Sequence, residues 1–265
     1  MTIDVSVIIP IYQARNTLHR ALQSIEIPAQ MGVEIILSVD DGDDYSDALT
    51  RHGHARIVND GTVRSGPGPA RNRGVAAAQG RFLAYLDADD AWSPGYLARL
   101  LPRARTEGCA FASTVIEDAS GSALLRVPDP GQDRLMLSDF VKWGASFHPV
   151  HAAGLPRGTG DGPFWDAPAQ DVMHAVEVFM ACGLTAALEQ DVSYRLRLGK
   201  STVTTADGFS DRLTNAYAAY DEALSQTWAQ TLFAGKSALN DRYVDERLEG
   251  ESFYAFVARI NQAAG

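Results

Sequence analysis

Residues 82–90 have the sequence FLAYLDADD, in which an apolar run is followed at once by three carboxylates. A short apolar run between Gly80 and an acidic cluster predicts a buried strand that ends at solvent, with Asp87 and Asp89 on the same side of its tip. Two carboxylates this close repel each other unless a cation lies between them. Oxygen ligands of this kind suit Mg²⁺ or Mn²⁺, which keep part of their shell for phosphate oxygens. An acidic turn that caps the next helix is the alternative.

Two apolar strands precede this one and indicate a layered α/β fold. Residues 5–11 and 33–39 are β-branched and apolar, as expected for strands covered on both faces. Predicted helices and a third strand fill the intervals as far as residue 59. This alternation predicts a right-handed, mostly parallel sheet, whose ligands bind outside the carboxyl ends of the strands. Two of those ends, after Val39 and after Leu86, carry acidic residues.

A glycine- and proline-rich segment, Gly66 to Gly74, lies between the two acidic strand ends. It is predicted as a loop that leads into a helical run over residues 75–78. Such a loop offers backbone N–H groups and the positive end of a helix dipole to an anion, and Arg71 adds a guanidinium. A surface loop in which Pro69 starts the helix at its first turn, with Arg71 only solvated, would explain the same residues. Neither the dinucleotide fingerprint nor the phosphate-loop lysine motif follows the first strand.

Four motifs, taken in this order, resemble those of the family-2 glycosyltransferases. They are VSVIIPIY at residues 5–12, VDDG at 39–42, GPARNRG at 68–74 and LDADDAWSP at 86–94. The resemblance implies a GT-A fold of the α/β class, with a Rossmann-like nucleotide-binding half, a mixed sheet, an acceptor region and a helical C-terminal extension. It also implies a hexosyltransferase-type reaction: transfer with inversion from a nucleotide-diphospho-sugar, a UDP-sugar being favoured, to an acceptor hydroxyl, with Mn²⁺ or Mg²⁺ as cofactor. Surface polysaccharide or glycoconjugate synthesis is the expected setting.

The resemblance also assigns roles to single residues of the first half. The implied donor contacts are Pro10 and Tyr12 at the nucleobase pocket, Asp41 on the base, Arg71 facing the nucleotide and Asp87 near the ribose. Asp89, together with Asp87, is the implied ligand set of the cation that bridges the two phosphates. A leaving diphosphate gathers negative charge as the sugar departs, and a Lewis-acid cation stabilises that charge without a proton.

The second half carries two further candidate site residues. Asp171 follows Gln170 at the start of a predicted helix, where the family has an acidic pair, so the resemblance implies that Asp171 is the catalytic base. An aspartate that only stabilises the helix dipole is the alternative, with Asp166 and Glu177 as reserve candidates for the base. Arg197 stands where relatives carry a histidine in the motif Tyr-Arg-x-His-x-x-Ser, and it is expected to neutralise the diphosphate.

The segment between residues 143 and 169 is predicted as a loop interleaved with short strands on the acceptor side. His148 and His151 lie in it. Zinc is not indicated, because no cysteine or third ligand follows at zinc spacing. The acceptor side is expected to span residues 119–205, after a nucleotide-sugar-binding part at residues 1–118, so that residues 1–205 form one GT-A domain and residues 206–265 the helical extension.

The composition limits the kinds of molecule that the protein is expected to bind. The chain has 265 residues, 46% of them hydrophobic, and a formal net charge of −10. This charge argues against a broad nucleic-acid surface or a strongly basic membrane patch. The chain has only two cysteines, and it shows neither an apolar run of membrane-spanning length nor a leader pattern. These features predict a cytoplasmic protein without a transmembrane segment. Transient contact with a membrane-borne acceptor, and a homo-oligomer joined by the C-terminal helices, are both compatible with this composition.

Two other functions compete with glycosyl transfer. A nucleotidyltransferase builds sugar nucleotides on a related sheet, but it needs a basic glycine-rich loop after the first strand, and Gln13-Ala14-Arg15 is a poor one. A catalytically silent sugar-nucleotide-binding protein would keep Asp87 and Asp89 and lack a base. The departures at Gln170 and Arg197 leave that second alternative open.

Overall fold

The computed structural model describes residues 2–155, 162–199 and 208–262. The first half of the described chain contains β1 (Val5–Ile11), α1 (Leu18–Gln23), β2 (Val33–Val39), α2 (Ser46–Arg51), β3 (Ala55–Val58), α3 (Pro67–Ala77), β4 (Phe82–Tyr85), β5 (Ala91–Trp92), α4 (Tyr96–Glu107) and β6 (Cys109–Glu117). The second half contains β7 (Ala123–Val127), β8 (Arg134–Met136), α5 (Leu137–Lys142), β9 (Pro149–Ala152), α6 (Gln170–Ala181), β10 (Thr185–Arg197), α7 (Phe209–Leu224), α8 (Thr227–Glu246) and α9 (Phe253–Gln262).

One mixed sheet of ten strands runs through the described residues, in the order β3-β2-β1-β4-β9-β6-β10-β5 with β7 beside β6 and β8 beside β10. The strands β3, β2, β1 and β4 are mutually parallel, whereas β9 runs antiparallel to both β4 and β6. Ile11 pairs with Val39, and Ile8 pairs with Tyr85. The carboxyl ends of β1, β2 and β4 therefore meet at one edge, as the sequence predicted.

Two large buried clusters form the core. The first packs β1, β2 and β4 against α1 and α4. The second packs β6 and β10 against α5 and α6, and it includes residues of α7 and α8. The C-terminal region is helical, as predicted, and its first two helices share a core with the rest of the chain. The predicted boundary between residues 205 and 206 lies outside the described residues.

The glycine- and proline-rich segment is a helix, so its prediction as a loop was wrong. α3 begins at Pro67, where proline fits because the first helical residues need no N–H donor. Its glycines allow close packing: a Cβ atom on Gly68 would lie 2.1 Å from the backbone oxygen of Trp165, and one on Gly74 would lie 2.5 Å from Ile8 Cγ2. Glycine and proline in this segment are typical of a loop, but here the glycines lack a Cβ atom and so allow α3 to pack closely on its neighbours.

None of the helices that the structure describes combines the length with the hydropathy that a bilayer span requires.

Candidate active site

The acidic cluster after β4 is held in place by the far end of β10. Tyr194 donates a hydrogen bond to Asp90 Oδ2 at 2.8 Å, and its hydroxyl oxygen accepts the backbone N–H of Asp87 at 3.1 Å. The backbone N–H of Arg197 donates to Asp90 Oδ1 at 2.9 Å. Burial raises the pKa of Asp90 well above its usual range, and the charges of Asp89 and Asp87 raise it further. Asp90 is thus fixed inside the protein by hydrogen bonds, and Asp87 and Asp89 are the carboxylates of the cluster that a ligand could contact.

Arg71 is buried beside this cluster. Its guanidinium forms an ion pair with Asp87 Oδ1 and lies 5.4 Å from the centre of the Phe164 ring. Burial acts to lower its pKa, but the carboxylates of Asp87 and Asp171 outweigh that effect and the pKa is raised. The Nε and Nη1 atoms have no hydrogen-bond partner among the described residues. A buried donor without a partner costs free energy, so these two atoms are suited to bind an anion.

Asp89 lies at the exposed outer end of the cluster. Partial desolvation in the cleft raises the pKa of its carboxyl group, and the neighbouring charge of Asp87 raises it further. Arg20 of α1 donates a hydrogen bond to the backbone oxygen of Asp89. The described residues contain no group of three or more histidine, cysteine, aspartate or glutamate side chains that could hold a metal ion. A cation at Asp87 and Asp89 would therefore take most of its ligands from a bound substrate or from water.

Two of the residues predicted at the nucleobase pocket, Tyr12 and Asp41, lie just after β1 and β2. Asp41 accepts hydrogen bonds from the backbone N–H of Gln13 at 2.6 Å, from the Tyr45 hydroxyl at 2.8 Å and from the backbone N–H of Asp43 at 3.0 Å. Burial would raise the pKa of Asp41, but these hydrogen bonds outweigh it and the pKa is lowered. Tyr12 is 47% exposed, so its ring is free to stack on a base.

Asp40 has a structural role near this pocket, whereas the contact of Pro10 with the nucleobase stays a prediction. Asp40 accepts a hydrogen bond from Arg73 Nη2 at 2.6 Å and another from the backbone N–H of Gly66 at 3.0 Å. It therefore fixes the start of α3, as a turn-shaping residue would. Pro10 is partly buried within β1, where it pairs with Ser38.

Asp171 is in the first turn of α6, close to Arg71 and His148. Burial acts to raise the pKa of Asp171, but His148, Arg71 and a hydrogen bond from Ser146 outweigh it, and the pKa is lowered. The residue before α6, Ala169, has a φ of +54°, a conformation that costs a residue with a Cβ atom free energy. The fold thus brings Asp171 to the same cleft as Arg71 and Asp87, with its carboxylate charged at neutral pH.

Arg197 is placed differently from its predicted role. Its backbone N–H contacts the acidic cluster, but its guanidinium Nη2 lies 3.5 Å from Glu117 Oε2 of β6. Arg195 pairs with the same glutamate. Glu117 thus pairs with the guanidinium of Arg197, and diphosphate binding by Arg197 stays a prediction.

The two histidines of the acceptor segment face different surroundings. His148 stacks on Tyr194 with ring centres 4.1 Å apart. His151 Nε2 lies 3.2 Å from the Tyr85 hydroxyl and 3.2 Å from His174 Nε2. His148 precedes β9 and His151 lies within it, so the two rings have different neighbours.

Sequence reasoning missed Tyr194 and Arg20 as parts of the site. Tyr194 begins the segment that resembles the Tyr-Arg-x-His-x-x-Ser motif, so a signal for it existed. Arg20 lies in the first helix, on an otherwise ordinary amphipathic pattern, and nothing local to it pointed to the acidic cluster.

The sequence is similar to a known family and to several known proteins. Residues 6–158, more than half of the chain, match the family described as Glycosyl transferase family 2. The chain is 25% identical to the succinoglycan biosynthesis protein ExoO of Rhizobium meliloti (strain 1021), over 98% of this chain and 78% of that protein. It is 29% identical to the Escherichia coli UDP-Glc:alpha-D-GlcNAc-diphosphoundecaprenol beta-1,3-glucosyltransferase WfaP, over 41% of this chain and 44% of that protein.

The fold is also shared with a solved structure. A crystal structure of S. aureus TarS in complex with UDP-GlcNAc superposes with a TM-score of 0.68 at 16% sequence identity, covering 96% of this chain and 79% of that one. At this identity the likeness establishes the fold, which is the GT-A fold predicted from the four motifs. The chain therefore belongs to glycosyl transferase family 2 and is a glycosyltransferase enzyme.

Proposed function

We propose that this glycosyltransferase transfers a sugar from a nucleotide-diphospho-sugar, with UDP as the favoured nucleotide, to an acceptor hydroxyl with inversion at the anomeric carbon. The observation that carries the proposal is the meeting of Arg71, Asp87 and Asp171 in one cleft at the carboxyl edge of the sheet. Donor binding requires a cationic side chain that holds the diphosphate, and acceptor activation requires a charged carboxylate beside it.

The donor half of the proposal rests on unmet hydrogen-bonding capacity. Arg71 uses one terminal nitrogen on Asp87 and leaves two buried nitrogens without a partner. Oxygens of a diphosphate would accept from them, and charge-assisted hydrogen bonds of this kind are strong. Tyr12, exposed at the end of β1, offers a ring face for the nucleobase, and Asp41 lies next to it with its orientation fixed by three hydrogen bonds.

The acceptor half rests on Asp171. An alcohol is a weak nucleophile at neutral pH, and a positioned base accelerates its attack by roughly 10²–10⁴-fold. In the proposed step the acceptor oxygen forms a bond to the anomeric carbon, the bond to the diphosphate breaks on the opposite face, and the hydroxyl proton moves to the carboxylate of Asp171. The lowered pKa of Asp171 keeps it unprotonated and ready to accept that proton at neutral pH.

Asp87 and Asp89 fit a divalent cation, Mn²⁺ or Mg²⁺. Their mutual repulsion is one cause of the raised pKa of Asp89, and a cation would relieve it. When bound, such a cation supplies Lewis-acid stabilisation of the charge on the departing diphosphate.

The relatives support the choice of donor and of setting. The names of WfaP and of the TarS complex contain UDP-Glc and UDP-GlcNAc, and ExoO is named for succinoglycan biosynthesis. By analogy we infer a UDP-sugar donor and a role in surface polysaccharide or glycoconjugate synthesis for this chain.

The test begins with the nucleotide. UDP, GDP and dTDP are titrated into the protein with and without Mn²⁺, by thermal shift and calorimetry, and UDP release from UDP-sugars is then followed. We expect UDP with Mn²⁺ to bind most tightly, and slow UDP release in the absence of an acceptor. No binding of any nucleotide at millimolar concentration would overturn the proposal.

A matched pair of variants ties that binding to the cleft. Arg71→Lys keeps the charge and removes the guanidinium fork, and it should weaken UDP binding by roughly tenfold or more. Arg103→Lys, on the half-exposed arginine of α4 that pairs with Glu189, should leave UDP affinity unchanged.

A further inference from the structure

A groove of about 790 Å³ lies along α3, on the side of the helix away from Arg71. The α3 residues that line it share one face of the helix, since they lie three, four and seven positions after the first of them: Pro69, Asn72, Arg73 and Ala76. Residues of the loop 60–65, after β3, line one wall, and residues of the segment 162–166 line the other. Sites for small ligands have volumes of roughly 300–1,000 Å³, so the groove is large enough for a ligand.

Hydrogen bonds hold the segment 162–166 against α3. Asn72 Nδ2 donates to the backbone oxygen of Phe164 at 2.7 Å, and Asn72 Oδ1 accepts the backbone N–H of Phe164 at 2.9 Å. Asp166 lies near the start of the helix, with its Oδ1 atom 3.7 Å from the position that a Cβ atom on Gly66 would take. The groove is therefore formed before a ligand binds, which lowers the free-energy cost of binding.

The lining combines aromatic rings with hydrogen-bonding side chains. Phe164 and the partly buried Trp165 line one wall. On the other wall the side chain of Asp60 is 52% exposed, and its Oδ1 atom accepts the backbone N–H of Thr62 at 2.9 Å. A carboxylate has about four acceptor sites, so Asp60 can accept further hydrogen bonds from a ligand. A sugar ring matches this lining, because its hydroxyls donate to carboxylates and its C–H face packs on aromatic rings.

The charges in the groove disfavour an anionic ligand. Arg73 is the cation among the lining residues that the structure describes, and it is already paired. Its Nη2 atom donates to Asp40 Oδ1 at 2.6 Å, its Nη1 atom donates to Ser65 Oγ at 2.8 Å, and its Nε atom lies 3.7 Å from Asp60 Oδ1. Asp60 and Asp166 place two carboxylates in the lining. A phosphate or carboxylate ligand would be repelled there, whereas a neutral ligand rich in hydroxyls would not.

The groove is continuous with the acceptor side of the cleft. A Cβ atom on Gly68 would lie 2.1 Å from the backbone oxygen of Trp165 and 3.5 Å from Gln170 Cγ. The same point of α3 therefore contacts a residue that lines the groove and the residue that precedes Asp171. One short segment of chain separates the groove from the proposed base.

We propose that this groove binds a neutral oligosaccharide, namely the part of the acceptor glycan that lies away from the reacting hydroxyl. The inference rests on the proposed function, because it takes Asp171 as the group that meets that hydroxyl. An acceptor of several sugar units then has its reacting end at Asp171 and its other units in the groove, packed on Trp165 and hydrogen-bonded to Asp60. The acceptor is thus a glycan chain rather than a single sugar.

Other ligands use less of the lining. A small cation would pair with the carboxylates of Asp60 and Asp166 but would leave the rings of Phe164 and Trp165 without a contact. An apolar chain would pack on the rings but would remove water from the carboxylates without replacing their hydrogen bonds, which costs free energy. An oligosaccharide contacts both kinds of group.

The test measures saccharide binding to the full chain. Cellotriose, laminaritriose and maltotriose are the neutral probes, glucose is the short probe and trigalacturonate is the anionic probe. Ligand-observed NMR and calorimetry are carried out on the wild type, Ala76→Arg, Asp60→Asn and Ala219→Arg. Ala76 is exposed and lines the groove, so an arginine there extends across it without entering the core. Ala219 is an exposed alanine of α7, and the same substitution there is the matched control.

We expect at least one neutral trisaccharide to bind the wild type more tightly than glucose and trigalacturonate do. Ala76→Arg should weaken that binding by roughly tenfold or more, because its side chain displaces the ligand from its contacts. Asp60→Asn should weaken it by roughly three- to tenfold, because a charge-assisted hydrogen bond becomes a neutral one. Ala219→Arg should bind as the wild type does. Arginine is a good helix former, so both arginine variants are expected to fold, which melting temperatures check.

Three results would overturn the inference: no binding of any neutral trisaccharide to the wild type, equal binding to the wild type and Ala76→Arg, or binding of trigalacturonate as tight as that of the neutral probes. UDP is titrated separately into the wild type. If UDP fails to bind while a trisaccharide depends on Ala76, the proposed donor chemistry is wrong and the groove stands as a saccharide site. If UDP binds and no trisaccharide depends on Ala76, the saccharide site is wrong and the donor chemistry stands.

Discussion

Tyr194 holds Asp90 through a hydrogen bond of 2.8 Å from its hydroxyl to Asp90 Oδ2. The same hydroxyl oxygen accepts the backbone N–H of Asp87. Because both partners belong to the acidic cluster after β4, a residue of β10 sets the position of carboxylates more than a hundred residues away in the chain. The ring of His148 stacks on Tyr194 and holds it in turn. The metal-binding geometry proposed here therefore depends on a tyrosine that contacts no metal.

Tyr194→Phe tests this dependence. The variant leaves Asp90 Oδ2 without its donor and the Asp87 N–H without its acceptor, which costs roughly 1–3 kcal/mol of unfolding free energy. We expect UDP to bind more weakly in the presence of Mn²⁺, as measured by calorimetry. Tyr243→Phe is the control, because the Tyr243 hydroxyl donates to the backbone of Glu251 in the α8–α9 region. Wild-type UDP affinity in Tyr194→Phe would show that the tyrosine does not position the cluster.

Asp89→Asn and Asp41→Ala separate metal binding from nucleotide binding. Asp89→Asn should abolish the part of UDP affinity that depends on Mn²⁺, because a neutral amide does not offset a cation among phosphates. Asp41→Ala should weaken UDP equally with and without Mn²⁺, because Asp41 lies at the nucleobase end of the cleft. Calorimetry of both variants in both conditions is the measurement. Unchanged UDP affinity with Mn²⁺ in Asp89→Asn would remove Asp89 from the site.

The first half of the chain could be predicted from the sequence because its strands are buried on both faces and end in charge. β2 was predicted residue for residue, and the carboxyl ends of β1, β2 and β4 meet as expected. The second half was less predictable. β10 was not predicted as a strand over most of its thirteen residues, since polar and charged residues interrupt its apolar pattern and its partners come from distant segments.

The candidate site was likewise predictable only where its residues belong to local sequence motifs. Local motifs pointed to Asp41, Asp87 and Asp89, each just after a strand end, and to Arg71 in α3. Arg20 and Tyr194 act through contacts between distant elements: no spacing in the sequence connects Arg20 to the acidic cluster, and the motif that contains Tyr194 does not reveal its hydrogen bonds to Asp87 and Asp90. The functions of such residues follow from topology, which the local pattern does not contain.

The buried pair of His151 and His174 predicts an acid-sensitive fold. Burial lowers the pKa of His151 to about 4 and, together with His151, lowers that of His174 well below its usual range. Both rings are neutral in the folded protein, whereas in the unfolded chain they take up protons below about pH 6.5. The unfolded state thus binds more protons as the pH falls from about 6.5 to 4, so stability falls over that window.

For His151 alone the loss is roughly 2 kcal/mol at pH 5 relative to pH 7.5, from the size of the pKa difference. Urea denaturation at the two pH values measures it. His151→Gln should make stability less dependent on pH, even if it lowers stability at pH 7.5. His54→Gln, on an exposed histidine, should leave the dependence as in the wild type. An unchanged pH dependence in His151→Gln would contradict the prediction.

Glu177, one of the two reserve candidates for the base, should lower the stability of the folded protein at high pH. It is buried on α6, and burial raises its pKa to about 7. Since its folded pKa is above its unfolded value, the folded protein loses stability as the pH rises from about 4.5 to 7. Glu177→Gln mimics the protonated form and should stabilise the protein by roughly 3 kcal/mol at pH 8 and by little at pH 4.5. Denaturation at both pH values checks this, and lower stability at pH 8 would contradict it.

The two carboxylates of α6 also give a direct test of the catalytic base. Glu177 has the higher pKa, which alone would make it the stronger base, but it lies about 9 Å further along the helix than Asp171. Asp171 is the one near Arg71 and therefore near the proposed donor. Geometry should outweigh basicity, because a base must be within hydrogen-bond reach of the proton that it removes.

Asp171→Asn keeps the size of the side chain and removes its basicity. We expect kcat to fall by roughly 10²–10⁴-fold, with UDP affinity nearly unchanged, because the donor half of the cleft is intact. The melting temperature should also stay close to the wild-type value, because asparagine can still occupy the first turn of the helix. Glu177→Gln is the matched control and should retain transfer activity. If transfer continues at the wild-type rate in Asp171→Asn and fails in Glu177→Gln, then Asp171 has only a structural role at the helix start and Glu177 is the base.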